Sequence, residues 1–311
     1  MLRNVVQYLN SLLNYGNNRT VVIKKNITIS IIFKGISVCI SLVLIPLTIK
    51  YISPSEYGIW ITLSSLVSWF NFFDIGLGNG LRNNVAECNA KKEFKKAKIY
   101  VSTTYVILTV LSTVMFIVFV ITNHYLNWEK ILNIHHNISS NLSLIVIVVF
   151  GTFCVQFVNQ LINNVLYAYH VASKVALISL VSQFVTFVNI VILTTYTCGN
   201  LLYLAIALTC TPVVIQLLFS IFYYKTQFKL ISPNIRFFDF QYIGKLLSIG
   251  TAFLIIQIGG LILFETDNII IIQYLDAKSV TIFNLSNKLF SLITIVFTII
   301  MTPIWSAFTD A

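Results

Sequence analysis

Residues 99–122 read IYVSTTYVILTVLSTVMFIVFVIT, an uncharged run whose length decides the fold. At ~1.5 Å of rise per residue a helix of this length covers ~36 Å, enough to cross ~30 Å of hydrocarbon. Lipid offers no partner for backbone N–H and C=O groups, so such a run must satisfy both within itself, as a helix. Comparable runs occupy 27–49, 57–80, 143–166, 175–196, 201–224, 246–272 and 279–304, which predicts an all-α polytopic membrane protein of about eight transmembrane helices. Composition agrees, because 57% of the residues are hydrophobic and only 10% charged, against roughly 25% charged in a soluble domain.

The basic residues set the expected orientation. Of the 20 Lys and Arg, all but five fall on the side that holds the N-terminus; Lys50, Lys130 and Lys278 fall on the other side, and Lys34 and Lys288 lie within spans. Lys and Arg accumulate in cytoplasmic connections, so both termini are expected in the cytoplasm. The net charge of +10 therefore reads as a topology signal. No nucleic-acid partner is expected, since the lysines sit between apolar runs and not along one basic face.

Five scattered cysteines without a CxxC pair give no disulfide framework or zinc site, and the four histidines lack metal-ligand spacing. No GxxxxGK[ST] phosphate loop occurs, so the chain is not expected to hydrolyse ATP, and no cofactor is expected.

Four segments follow. Residues 1–26 carry Leu2, Val5, Val6, Leu9, Leu12 and Leu13 at helical spacing, as an interfacial amphipathic segment would. Residues 27–224 form an N-terminal six-helix bundle, 225–245 a basic cytoplasmic linker, and 246–311 the first two helices of a second bundle. A weak repeat supports the division. Laying 49–66 over 272–289 makes Ile49/Ile272, Tyr51/Tyr274, Ile59/Ile282 and Leu66/Leu289 identical. The second bundle stops after two spans, so C-terminal truncation is expected. Repeated bundles with a site between them are a common transporter plan.

Polar residues inside spans mark the candidate site. Ser30, Lys34, Ser37, Ser41 and Thr48 share one face of span one; Thr152, Gln156, Asn159, Gln160 and Asn163 share one in span four; Ser179, Ser182, Gln183, Thr186 and Asn189 do so in span five. Such stripes either line a hydrated cavity, where they can bond sugar hydroxyls, or glue helices together; the amides Asn159 and Gln183 are taken as cavity candidates. A charge at the bilayer centre costs ~2.5–3.5 kcal/mol unless it meets water or a partner. Lys288 is the sharpest case, and Lys34 lies near enough to the inner end of its span to snorkel. Glu265 and Asp267 in span seven, with Asp74 in span two, are candidates for coupling to H+ or Na+, although Glu265 can equally form a structural ion pair with Lys288. The stretch Phe73–Arg82, FDIGLGNGLR, contains GxGxG but lacks the strand and βαβ unit of a dinucleotide site. Its glycines are expected to allow a bend or a close approach, with Asp74 and Arg82 at the inner mouth.

Glu56, Tyr57, Gly58, Ile59 and Trp60, then FDIGLGNGLRN at 73–83 with its Lys-rich sequel, and TPIWSAFTDA at 302–311 resemble the polysaccharide-transporter family, above all the Wzx-type O-antigen flippases of the multidrug, oligosaccharidyl-lipid and polysaccharide (MOP) exporter superfamily. The resemblance implies a MATE-like fold of two helical bundles around a central cavity, working by alternating access and not as an enzyme. It implies translocation of an undecaprenyl-diphosphate-linked oligosaccharide from the inner to the outer leaflet of the bacterial plasma membrane. Expected partners are that lipid-linked oligosaccharide, membrane lipids, H+ or Na+, and other polysaccharide-assembly proteins. The anionic diphosphate gives Lys34, Arg82 and Lys288 a physical purpose. A cation-coupled small-molecule exporter is the second reading, and a membrane enzyme of polysaccharide assembly the third.

Overall fold

The computed structural model describes residues 18–74, 76–134, 142–246, 258–260, 262–263 and 265–309. The expected interfacial segment 1–26 lies mostly outside the described residues, as do Gly250 and Gln257 of span seven. Among the described residues the regular structure is helical, without strands.

Among the described residues five helices are long and apolar enough to cross a membrane, covering Thr28–Tyr51, Phe94–Asn123, Leu142–Ala168, Ala172–Tyr196 and Leu201–Lys225. These belong to α1 (Asn18–Tyr51), α4 (Phe94–Asn123), the pair α6 (Leu142–Asn159) and α7 (Leu161–Ala168), α8 (Ala172–Tyr196) and α9 (Leu201–Lys225). A short α5 (Trp128–Ile131) follows α4, and α10 (Thr266–Tyr274) and α11 (Ala277–Thr309) close the chain. This arrangement is compatible with eight crossings.

The second span differs from the continuous run expected over 57–80. It consists of α2 (Pro54–Ser68), a 3-10 turn (Trp69–Asp74) and α3 (Leu77–Ala90). Its start is a capping box: the Ser53 hydroxyl accepts from the Glu56 N–H at 3.2 Å, the Glu56 carboxylate accepts from the Ser53 N–H at 2.9 Å, and Pro54 takes the first helical position. A cap of this type stabilises a helix by about 1 kcal/mol. The break comes at Gly76, whose φ of 73° lies in the left-handed region that favours glycine. The helix restarts because the Asp74 carboxylate accepts from the Gly78 N–H at 3.1 and 3.2 Å. It then runs ten residues past the expected end, through the hydrophilic stretch to Ala90.

The bundle has a lysine-rich end, around Lys91–Lys98 and Lys225–Lys245, and an opposite, lysine-poor end around Tyr51, Asn123 and Asp276. α1 lies along α8, α8 against α9, α9 against α6 and α6 against α4, while α3 joins α4 to α7; α10 and α11 both pack on α2. Two apolar cores fill the interior, one around Leu81, Val85, Val101 and Leu166 and one around Leu63, Phe150, Leu204 and Ile272.

The segment after α9 runs as a strap along α4. It makes three short turns, Lys229–Ile231, Ile235–Phe237 and Phe240–Tyr242. Ser102 Oγ accepts from the Asn234 N–H at 3.0 Å and Thr103 Oγ1 from the Asp239 N–H at 3.1 Å, so both hydroxyls, fully buried within an otherwise apolar helix, have backbone partners there.

Candidate functional site

The hydroxyls of the polar stripes are largely satisfied within their own helices. Ser30 donates to the Asn26 carbonyl at 2.7 Å, Thr48 to the Leu44 carbonyl at 2.6 Å and Thr186 to the Ser182 carbonyl at 2.8 Å. All three side chains are buried, so here the stripes make contact between helices.

The amides behave differently. Asn159 is buried and its Nδ2 donates to the Val213 carbonyl at 3.1 Å, while Gln216 Nε2 donates back to the Asn159 carbonyl at 3.2 Å and Gln156 Nε2 donates to Gln216 Oε1 at 2.7 Å. This seam locks α6 to α9, and Asn159 belongs to it. Gln183 lies on α8, which packs along α1. The side-chain bonds Ser173–Asn26 and Tyr51–Thr197 join residues 147 and 146 apart, fixing parallel helices in one register. Ser37 and Gln183 share that offset, so they lie level with each other. Ser37 Oγ and Gln183 Oε1 are buried without a hydrogen-bond partner among the described residues, as are Gln156 Oε1 and Asn163 Oδ1. Buried polar atoms left unpaired are costly and mark places suited to a polar ligand or water.

A third set joins Asn268 and Asn284, which sequence reading placed on the polar faces of spans seven and eight, to Ser65 of span two, which it did not single out. Asn268 Nδ2 donates to Ser65 Oγ at 2.7 Å and Asn284 Nδ2 donates to Asn268 Oδ1 at 2.6 Å, a buried chain that ties α2, α10 and α11 together. Nearer the lysine-poor end α2 meets α11 without intervening side chains. A Cβ on Gly58 would stand 1.7 Å from the Ala277 carbonyl oxygen, and Thr281 donates to the Pro54 carbonyl at 2.6 Å. In the repeat, 54 corresponds to 277 and 58 to 281. The two contacts are therefore mates, residue 58 touching the equivalent of 54 and the reverse, as across a two-fold axis. The repeat itself was the signal.

The charged candidates are spread over several helices. Lys34 on α1 and Lys288 on α11 are exposed outside the helix packing. Counting at ~1.5 Å per residue, Lys34 lies ~26 Å and Lys288 ~17 Å below the lysine-poor ends of their helices. Arg82 is exposed, with its guanidinium 5.1 Å over the Tyr167 ring, which bridges spans two and four. Asp74 is buried and its oxygens are engaged by Gly78. Glu265 is half-buried and Asp267 exposed at the start of α10. Among the described residues the ion pairs are Lys91–Glu87 and Lys96–Glu93, both at the lysine-rich end, so the Lys288–Glu265 pair offered as one alternative does not form. Lys91 holds the Glu87 carboxyl below its usual range.

A cavity of about 610 Å³ opens among Leu63, Trp69, Phe70, Phe119, Phe150 and Ile258. Its lining is apolar and contains none of the charged candidates, so it does not have the chemistry of a sugar or diphosphate site.

The helical bundle, broken at Gly76 and Gln160 and with a two-fold-related contact between spans two and eight, has a MATE-like fold. The structure is similar to the inward-facing conformation of a multidrug resistance MATE family transporter, with a TM-score of 0.63 at 13% identity, covering 82% of this chain and 59% of that one. It is also similar to a MOP superfamily transporter from Pyrococcus furiosus, for which reverse polarity of the binding pocket suggests a different function; here the TM-score is 0.60 at 14% identity, covering 79% and 54%. Residues 23–308 match the family described as polysaccharide biosynthesis protein, and the chain belongs to that family. A curated relative named "Putative O-antigen transporter", from Salmonella typhi, is 22% identical over 269 residues, 86% of this chain. The match spans 60% of the length of that relative.

Proposed function

We propose that the protein acts as a flippase, moving an undecaprenyl-diphosphate-linked oligosaccharide, an O-antigen or capsule repeat unit, from the inner to the outer leaflet of the bacterial plasma membrane by alternating access. Beside the family membership, one observation carries this reading. Among the described residues Lys34 and Lys288 form no ion pair, and they lie at two depths within the membrane zone, on the two helices that flank span two. Lys288 would cost ~2.5–3.5 kcal/mol against lipid alone, and Lys34, nearer the inner end of its span, less. A diphosphate passing between them offsets that cost and is itself stabilised where water is sparse.

In this reading residues 27–224 form one bundle and 246–311 open a second. The lysine-rich end faces the cytoplasm, and both termini lie there. The Gly58–Ala277 and Pro54–Thr281 contacts then close the outer side while the inner side admits substrate. Arg82 stands at that inner mouth, and Asn159 and Gln183 belong to polar seams within the first bundle. Deleting the gene tests the reading. Lipid-linked repeat units should accumulate on the cytoplasmic leaflet, and normal surface display without accumulation would refute it.

The multidrug neighbours favour a second reading, export of small molecules coupled to H+ or Na+ through Glu265, the N-cap of α10, or Asp267 in its first turn. It requires efflux driven by an ion gradient from vesicles that contain no lipid-linked sugar.

A further inference from the structure

A cavity of about 520 Å³ lies between the lysine-rich ends of α4 and α9, lined by Lys98, Lys225, Lys229, Ser232 and Asn234. Three ammonium groups and two short polar side chains form a lining suited to an anion. The nearby acids leave that charge uncompensated: Asp239 Oδ1 accepts from the Gln241 N–H at 3.0 Å, and Glu93 pairs with Lys96 at 2.8 Å. Lys98 is held in place by the Phe237 ring, 4.5 Å from its Nζ.

The depth of the cavity identifies the anion. α4 has 30 residues and is ~45 Å long, the thickness of a bilayer with its headgroup layers. Lys98, Ser102 and Thr103, which hold the strap, lie ~6–14 Å from its lysine-rich end, at the boundary between headgroups and acyl chains. Beside the lysines the strap presents Leu230, Ile235 and Phe240, exposed by 70%, 76% and 74%. Apolar side chains interleaved with lysines at that level suit a segment lying in the interface of an anionic leaflet. A free anion in solution would have no use for them.

We propose that this cavity holds the phosphate of an anionic glycerophospholipid of the adjoining leaflet, with strap residues 226–242 as its membrane-facing clamp. The site is separate from the path between Lys34 and Lys288 and does not depend on the flippase reading.

Native mass spectrometry of the whole chain, released from bilayer discs containing phosphatidylglycerol and phosphatidylcholine, tests the assignment. The parent protein should retain phosphatidylglycerol preferentially. Retention should fall about five-fold for each lysine removed in Lys225→Gln and Lys229→Gln, and Lys225→Arg with Lys229→Arg should restore it. Ile235→Ser with Phe240→Ser, which keeps every lysine, should also lower retention. Millimolar inorganic phosphate should not displace the lipid. Equal phosphatidylglycerol retention by the parent and the paired glutamine variant would overturn the proposal. So would full displacement by inorganic phosphate, which would make the cavity a free-anion site, or unchanged retention in the serine pair.

Discussion

Gly58 and Ala277 meet backbone to backbone, for a Cβ added at residue 58 would stand 1.7 Å from the Ala277 carbonyl oxygen. No side chain can yield there, so Gly58→Ala must push α2 away from α11. The expected cost is about 1–3 kcal/mol, as for other overpacked contacts. Gly35 is the control: it lies inside α1 with nothing within 4 Å of an added Cβ, and Ala there should be neutral or stabilising by about 0.5–1 kcal/mol. Thermal unfolding in detergent should rank the two variants in that order, and equal melting temperatures would remove the contact from the account.

The Ser65–Asn268–Asn284 chain predicts coupling between spans that are far apart in sequence. Asn268→Leu leaves the buried Ser65 hydroxyl without its donor and takes from Asn284 one of its two acceptors, and should cost about 1–3 kcal/mol. Once Asn268 is gone, Ser65→Ala should cost less than it does alone. A double-mutant cycle should therefore give a coupling of at least about 0.5 kcal/mol. Strict additivity would mean that the bond between α2 and α10 contributes nothing.

Asp74 was a candidate for ion coupling, yet both its oxygens face the Gly78 N–H. If its work is to restart the helix after Gly76, an amide serves as well as a carboxylate, since Asn also accepts at such positions. Asp74→Asn should keep normal abundance and most of the transport, whereas Asp74→Leu should lose both. Asp74→Asn that is abundant but inactive would return the residue to the coupling mechanism.

How much of this was legible in the sequence depends on the kind of signal. The uncharged run 99–122 showed a membrane helix because length and lack of charge decide that alone. The same averaging gave span two as one run over 57–80, although the glycines of 73–82 were read as allowing a bend; the bend falls at Gly76, where one left-handed glycine and one capping carboxylate outweigh apolar neighbours. Periodicity put Gln156 and Asn159 on one face, and both bond across to α9. It could not say what each face meets, and Asn159 turned out to bond the Val213 carbonyl of a neighbouring helix. The strap was hidden for a related reason: Ser102 and Thr103 look like minor polar interruptions until Asn234 and Asp239 are brought onto them. Lys288 was legible because a charge within a span is costly wherever it points.

Lys288 carries the central claim, that a cation in the membrane zone assists a diphosphate across it. Its effect should follow charge and not packing, because its side chain is exposed and forms no ion pair with Glu265. The decisive measurement is surface display of the repeat unit in cells whose export depends on this gene, at matched membrane abundance of each variant. The account predicts that Lys288→Arg retains much of the export, that Lys288→Gln loses most of it, and that adding Glu265→Gln to Lys288→Gln restores nothing. Parental export from that double variant would contradict it, for then the lysine serves only to neutralise the acid.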